Sequence, residues 1–407
     1  MSIKRLGLLI ALGIFIAFGA YSISKVPKHL EYAFLPSIDM TNSAAQAAQS
    51  ETSQGEQEEK PKEKPPTALE NRLKELSLVK KELKDSVPSM ALSCYYEGAT
   101  LSHSSGSSLQ GQVIGLWGDV DAMERSVLLA GRQLYPDELF SSRPVAVIDE
   151  KTAVELFRDG APIDRAFSFA GVEFKVVGVI RHRRTAGERW ACRAMVPLCA
   201  LDGANQNPTL AVVSGAKAAG GRARSTFFSK LSSFREGGAN IDLQKERDRS
   251  FLPLRLTVCL LLLFILLLIW KLIKFVLTFF IRRTRTGLQK RYFLQEFWRI
   301  ALRTLASLAL LGIWFFALYL VLQELIKPVL LFPEWVPSVP VEPKEIGAAF
   351  WHNRSANTAL VALRTPNSLL LSFWLSVSAA LCTAFGLISL PLLTRIKDAW
   401  TAWLKNR

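Results

Sequence analysis

This chain of 407 residues is poor in the side chains from which active sites are usually built, with only four histidines and five cysteines. His29, His103, His182 and His352 are scattered, with no second ligand at metal spacing, so neither a zinc centre nor any other cofactor is expected. The cysteines are too few for a disulfide framework. Cys94, Cys192 and Cys199 fall in one long polar insert, Cys259 and Cys382 in apolar runs. Cys192 and Cys199 flank a short predicted strand, and either a bond between them or unpaired packed thiols fits their spacing. Gly215 and Gly220 have the spacing of a phosphate loop, but Gly221 and Arg222 stand where Lys and Ser/Thr must reach phosphate and magnesium, so no nucleotide binding is expected. Ser77 and Lys80 form a Ser-x-x-Lys pair, a nucleophile and base in some hydrolases, yet they lie on a charged helix pattern. No catalytic constellation remains, and the chain is not expected to be an enzyme.

Acidic residues are also scarce, 35 against 50 Lys and Arg, for a net charge of +15. Long apolar runs are not. Leu6–Ile23, Leu254–Phe280, Thr304–Leu322 and Ser368–Leu393 each approach or exceed the roughly 20 residues that cross a bilayer. Lys4 and Arg5 before the first run set the N-terminus inside. A cleaved signal peptide is the alternative reading of that run, but no small-x-small site precedes Lys25, which favours an uncleaved anchor. Arg282, Arg283, Arg285, Lys290, Arg291, Arg299 and Arg303 against Glu296 put the second interhelical segment inside, and Arg395, Lys397, Lys405 and Arg407 do the same for the tail. Topology and attraction to anionic headgroups thus account for much of the positive charge, without nucleic acid. Lys271 and Lys274, near the inner end of the second run, read as snorkelling side chains.

The resulting division is a first transmembrane helix over 1–24, a flexible linker over 25–66, an amphipathic helix over 67–88 and an outer α+β domain over 89–250. There follow a second transmembrane helix over 252–281, a cytoplasmic basic loop over 282–303 and a third helix over 304–324. An outer Pro/Trp arm over 325–367, a fourth helix over 368–394 and a cytoplasmic tail over 395–407 complete it. The linker is most polar from Met40 to Pro66, where Ser, Gln, Glu, Lys and Pro cannot bury enough surface to offset ordering entropy. Next, Leu69, Leu73, Leu76, Val79 and Leu83 recur at helical spacing behind Thr67 and Glu70, a capping-box pair, which predicts a helix packed on the domain that follows. Strands are predicted at Gln112–Trp117, Pro144–Ile148, Gly171–Ile180, Trp190–Val196, Thr209–Val213 and around Ile241. Helices are predicted at Val120–Leu129, Thr152–Phe157 and Arg224–Phe234. The basic cluster Arg181, His182, Arg183 and Arg184 reads as a solvated loop. In the arm, Pro328, Pro333, Pro337, Pro340 and Pro343 with Trp335 and Trp351 predict a rigid extended segment at the membrane surface.

The run Arg143–Ile180 carries a Val-Ala-Val-Ile strand, a helix with Ala153, Leu156 and Phe157, a Pro162-Ile163 turn and a strand pair closing on Phe174–Val179. Leu128–Glu138 adds Leu-x-x-Gly-Arg with a following acid, and Met195–Leu201 adds Val-Pro-Leu-x-x-Leu. In order and topology these resemble the extracytoplasmic core domain of MacB/FtsX-type ABC transporter permeases, over roughly residues 90–250. Phe157, Pro162, Gly171, Phe174 and Gly178 are expected as markers of the domain core.

The resemblance implies a four-helix membrane protein, one span before and three after an outer α+β domain, in the cell membrane with both termini cytoplasmic. It implies no catalysis in this chain. A cytoplasmic ABC ATPase and a second permease copy or paralogue are the implied partners, with membrane lipids and an extracytoplasmic protein beside them, and the implied output is export or extraction of substrate. Arg282, Arg283, Arg285, Gly287 and Glu296 match the family's ATPase-coupling loop. The dozen residues that normally intervene as a coupling helix are mostly missing here, and this leaves a degenerate permease, acting as scaffold or sensor, as the alternative.

Overall fold

The computed structural model describes residues 3–36, 67–120, 126–158, 162–182, 190–202, 206–216, 223–290, 293–331 and 361–405, together with 344, 347–348 and 351. The chain divides into two compact units, one of long helices and one α+β domain formed by Val26–Glu246 with Ala356–Leu370.

The α+β unit is built on one ten-stranded sheet. In chain order its strands are β1 (His29–Phe34), β2 (Ser89–Ser102), β3 (Ser108–Gly118), β4 (Val127–Gly131), β5 (Val145–Asp149), β6 (Ala166–Phe169), β7 (Val172–Arg181), β8 (Arg193–Pro197), β9 (Leu210–Ala216) and β10 (Ala239–Asp242). The spatial order is β10-β1-β9-β2-β3-β8-β5-β7-β4, with β6 joined to β2 and β7. Most pairings are antiparallel, while β3–β8 and β5–β7 are parallel and depend on crossovers. Alternation along the strands divides the core between two faces. Val113 and Trp117 of β3 enter the larger cluster with Met90, Leu92, Cys94 and Tyr96 of β2, whereas Ile114 and Leu116 enter a smaller one with Val147, Ile180 and Met195.

Helix α2 (Ala68–Leu83) forms as the leucine spacing predicts. The Thr67 side chain accepts from the Glu70 amide, and Leu69, Leu73, Leu76 and Leu83 are buried in the larger cluster. Each such leucine contributes about 1.5–3 kcal/mol relative to exposure. Beside α2 packs the helix Ala223–Phe234, through Phe227, Phe228 and Leu231; Lys230 and Glu82 join their outer faces at 2.7 Å. Two short helices, Pro136–Leu139 and Glu150–Leu156, complete the layers.

Three sequence expectations are corrected within this unit and at its ends. The linker assigned from residue 25 does not begin there: His29–Phe34 is a fully buried strand between β10 and β9, and residues 37–66 lie outside those described. Leu30, Tyr32 and Phe34 share one face while His29, Glu31 and Ala33 share the other, so a composition window averages the segment to polar. The helix assigned to Val120–Leu129 is strand β4 at Val127–Leu129, because antiparallel pairing with β7 overrides a short apolar run that fits either period; residues 121–125 lie outside those described. The extended arm assigned to 325–367 is helical as far as Leu331, and its end at Val361–Leu363 is a turn of 3-10 helix packed with Ala33, Leu210, Val212 and Ala239. Trp335 and Pro333, Pro337, Pro340 and Pro343 lie outside the described residues.

The helical unit holds α1 (Ile3–Lys25) and three helices of about forty residues, here called H2 (Leu252–Lys290), H3 (Phe293–Leu331) and H4 (Pro366–Lys405). All four are long and apolar enough to cross a membrane. H2, at 39 residues, is about 58 Å long, well beyond the hydrocarbon thickness. H2 and H3 pack through Cys259, Leu266 and Val321, with Trp314 donating to the Leu266 carbonyl at 3.0 Å and its ring 4.7 Å from that of Trp270. Trp400 of H4 donates to the Leu268 carbonyl at 3.2 Å, and Phe18 of α1 meets Trp374 of H4 edge-on. Large apolar side chains such as Ile14, Leu305 and Leu387 remain exposed, as expected of surfaces solvated by lipid. The basic loop assigned to 282–303 is corrected: H2 continues through Lys290 and H3 starts at Phe293, leaving only residues 291–292 outside those described.

Candidate functional site

The five core markers occupy structural positions in the α+β unit. Phe157 and Phe174 are fully buried in the larger cluster, and the Pro162 carbonyl accepts from the Arg165 amide to close a turn. Ala170 and Gly171, with φ of 50° and 86°, form the two-residue turn between β6 and β7, the backbone handedness that antiparallel hairpins favour. Gly178 is required by contact: a Cβ there would lie 1.9 Å from the Arg132 carbonyl oxygen. The Leu128–Glu138 segment is anchored over that glycine, since Arg132 donates two bonds to Glu138 at 2.7 and 2.6 Å while the Tyr135 amide donates to the same carboxylate. The Arg132 guanidinium bonded to it holds the Glu138 carboxyl below the usual range, against the opposing effect of burial.

Groups that the sequence offered as chemistry are engaged structurally. Ser77 donates to the Lys74 carbonyl while Lys80 pairs with Asp119 at 2.8 Å, so the two do not face each other as nucleophile and base. Gly215 lies inside β9, not in a phosphate loop; residues 217–222 are outside those described. The Cys192 thiol donates to Glu155 and that of Cys199 approaches the Leu139 carbonyl. Both are free, held apart by β8 between them. Burial and the neighbouring Glu155 push the Cys192 thiol up to about 11, and burial pushes Cys94 to about 12. Arg181 pairs with Glu150 at 3.4 Å, while Arg183 and Arg184 lie outside the described residues.

The arrangement most relevant to function was missed in the sequence, and it centres on a buried carboxylate. Glu31, in β1, is 2% exposed. It receives hydrogen bonds from the Thr365 hydroxyl, from Asn367 Nδ2 at 2.9 Å and from His29 Nε2 at 3.0 Å. Thr365 is also the cap of H4, its hydroxyl oxygen accepting from the Ser368 amide ahead of Pro366 in the first helical position. The Thr-Pro-Asn signal was readable as a helix start, but its partner lies 334 positions away. Three chain segments therefore meet in one strand pair. Three residues separate α1 from β1, β10 pairs with β1 and runs directly into the helix Leu243–Ser250 ahead of H2, and Glu31 holds the residues that begin H4.

The second candidate region is the H2–H3 hairpin. Arg282, Arg283 and Arg285 are exposed on H2, with Arg283 5.9 Å from the Phe279 ring centroid. Gly287 and Glu296 fall on the helical backbone at the ends of H2 and H3. Arg285 and Arg303 line one cleft of about 560 Å³ between the helices. Among the described residues no group of His, Cys, Asp or Glu is placed to hold a metal.

These features define a multi-pass membrane protein carrying an α+β domain. The chain belongs to the MacB-like periplasmic core domain family, whose profile matches residues 7–219, just over half of the sequence. It is 35% identical over 105 residues to YvrN of Bacillus subtilis (strain 168), an uncharacterized ABC transporter permease, and spans only 25% of that relative's length, with 25% of its own chain. Among solved structures, the periplasmic region of MacB from Actinobacillus actinomycetemcomitans is similar at 15% identity and a TM-score of 0.39, over 55% of this chain and 92% of that one. The extracellular domain of the noncanonic ABC-type transporter YknZ from Gram-positive bacteria is similar at 16% identity and a TM-score of 0.35, over 52% of this chain and 99% of that one.

Proposed function

We propose that this protein is the transmembrane subunit of an ABC transporter, passing motion generated by a separate cytoplasmic ATPase to its outer domain, where substrate is exported or extracted. The observation that carries this reading is the convergence of α1, H2 and H4 on the β1–β10 strand pair. The chain segments that lead to α1, H2 and H4 all leave the domain at this strand pair, so motion of the helices would reach the domain through these connections, and its packed core transmits strain instead of absorbing it. The balance of Lys and Arg beside the apolar runs supports a reading with the domain outside and both termini in the cytoplasm. Arg282, Arg283, Arg285, Gly287 and Glu296 are the residues proposed to meet the ATPase, and a second permease copy completes the assembly. ATP is hydrolysed by the partner alone.

One observation favours a second reading, a membrane-anchored scaffold or sensor for an extracytoplasmic protein. H2 and H3 are separated by only two residues, which leaves no room for an independent coupling helix. Mild-detergent purification of the tagged full chain from its own cells separates the two. Recovery of a stoichiometric ATPase that is lost in R282Q/R283Q/R285Q supports the transporter; recovery of no ATPase, with an extracytoplasmic partner retained, supports the scaffold.

A further inference from the structure

The H2–H3 cleft shares Arg285 with the proposed coupling residues, and the rest of its lining carries a polarity that the coupling reading does not use. Its lining on H2 runs from Leu277 to Gln289, about 18 Å along the axis, and crosses the point where the apolar sequence gives way to arginines. The H3 wall repeats the change, with Ile300, Arg303 and Thr304 at the junction between the basic and apolar stretches. Counted from the hairpin turn, Gln289 and Arg285 lie nearest it, Arg303 is level with Phe280 and Ile281, and Leu277 lies deepest on H2, so the guanidinium groups sit above an apolar floor. Among the described residues that line it none is acidic, and neither arginine has an ion-pair partner among the described residues. The Thr304 and Ser307 hydroxyls donate to carbonyls of their own helix, so the guanidinium groups, the Thr284 hydroxyl and the Gln289 amide are the donors left for a ligand among the described lining residues.

We propose that this cleft binds the phosphate and upper acyl region of one anionic phospholipid. A guanidinium fork matches phosphate oxygens in a bidentate geometry, and two such forks with no carboxylate among the described lining residues favour a headgroup of net negative charge. A zwitterionic headgroup would bring an ammonium against the same arginines. The apolar wall then receives the first methylenes of the chains, which free phosphate lacks. A volume of about 560 Å³ lies within the range of small-molecule sites. The proposal requires that H2 and H3 span the bilayer; it does not depend on ATPase coupling, and its test contains no ATPase.

The test is native mass spectrometry of the full chain released from nanodiscs of equal phosphatidylglycerol and phosphatidylcholine. The expected result is one retained phosphatidylglycerol, reduced roughly tenfold or more in R285Q/R303Q, as expected for two interfacial arginines. R282Q/R299Q removes the same charge at neighbouring positions outside the cleft lining and should leave retention within about twofold of the parent, since diffuse attraction alone is screened. Equal loss in both double variants would overturn the proposal in favour of nonspecific attraction. Displacement of the lipid by millimolar inorganic phosphate would overturn the lipid assignment. If R285Q/R303Q does not fold, R303Q is compared with R299Q in the same way.

Discussion

Replacing Glu31 by alanine tests whether the outer segment ahead of H4 is fastened to the α+β domain. Glu31 is buried and accepts from Thr365, Asn367 and His29. Hydrogen bonds to a charged group contribute about 1.5–3 kcal/mol each, and buried donors left unsatisfied cost about 1–3 kcal/mol, but the three are coupled and do not sum. A loss of about 2–4 kcal/mol in docking of the segment is the reasoned range, with the Leu363 contact opposing complete release. One decade corresponds to about 1.4 kcal/mol, so amide exchange through local opening should accelerate roughly thirty- to several-hundredfold. The amides to follow are those of Ser368 and Leu369, which bond to Thr365, by hydrogen–deuterium exchange on the full chain in nanodiscs. E31Q keeps an acceptor and should fall between the parent and E31A. Unchanged exchange at these amides in a folded E31A protein would refute the fastening argument and remove H4 from the helices proposed to pass motion to the domain.

Three further outcomes follow from the α+β domain. Gly178→Ala forces a Cβ against the Arg132 carbonyl and should destabilise the domain by about 3 kcal/mol or more, seen as a lower Tm, whereas substitution at exposed Lys175 should have little effect. The Glu138 pKa is depressed in the folded state, so its stabilisation is present above the ordinary carboxylate range and is lost as pH falls through the depressed value. E138Q should therefore be less stable than the parent at pH 7, with a gap that narrows under acid in denaturant titrations at both pH values. Cys94 and Cys192, with thiols raised to about 12 and about 11, should resist alkylation at pH 8 until the protein unfolds. Mass mapping that found a Cys192–Cys199 disulfide in the native protein would contradict their placement at opposite ends of β8.

How much could be read in the residues differs by region. The four apolar runs, α2 with its Thr67 cap, and β7 with its Gly171 turn carried local signals, because their periodicity or length exceeds anything a loop requires. The candidate residues at Arg282, Arg283 and Arg285 were also legible as charge beside an apolar run. The continuity of H2 through them was not, since a run of arginines is equally compatible with a loop. β1 was missed because its two faces cancel in composition, and β4 because a three-residue apolar run fits helix or strand.

The amino-acid order alone determined that the protein has four segments fit to span a membrane and that a long α+β insert separates the first from the other three. These properties are local, each set by the transfer energy or backbone preference of neighbouring residues. Only the tertiary structure decided that His29–Phe34 enters the sheet between β10 and β9, that Glu31 closes on Thr365 and Asn367, and that Arg285 and Arg303 share one cleft. Those pairings join residues distant in sequence, and nothing in a short window of the chain records which distant donor a buried carboxylate will find.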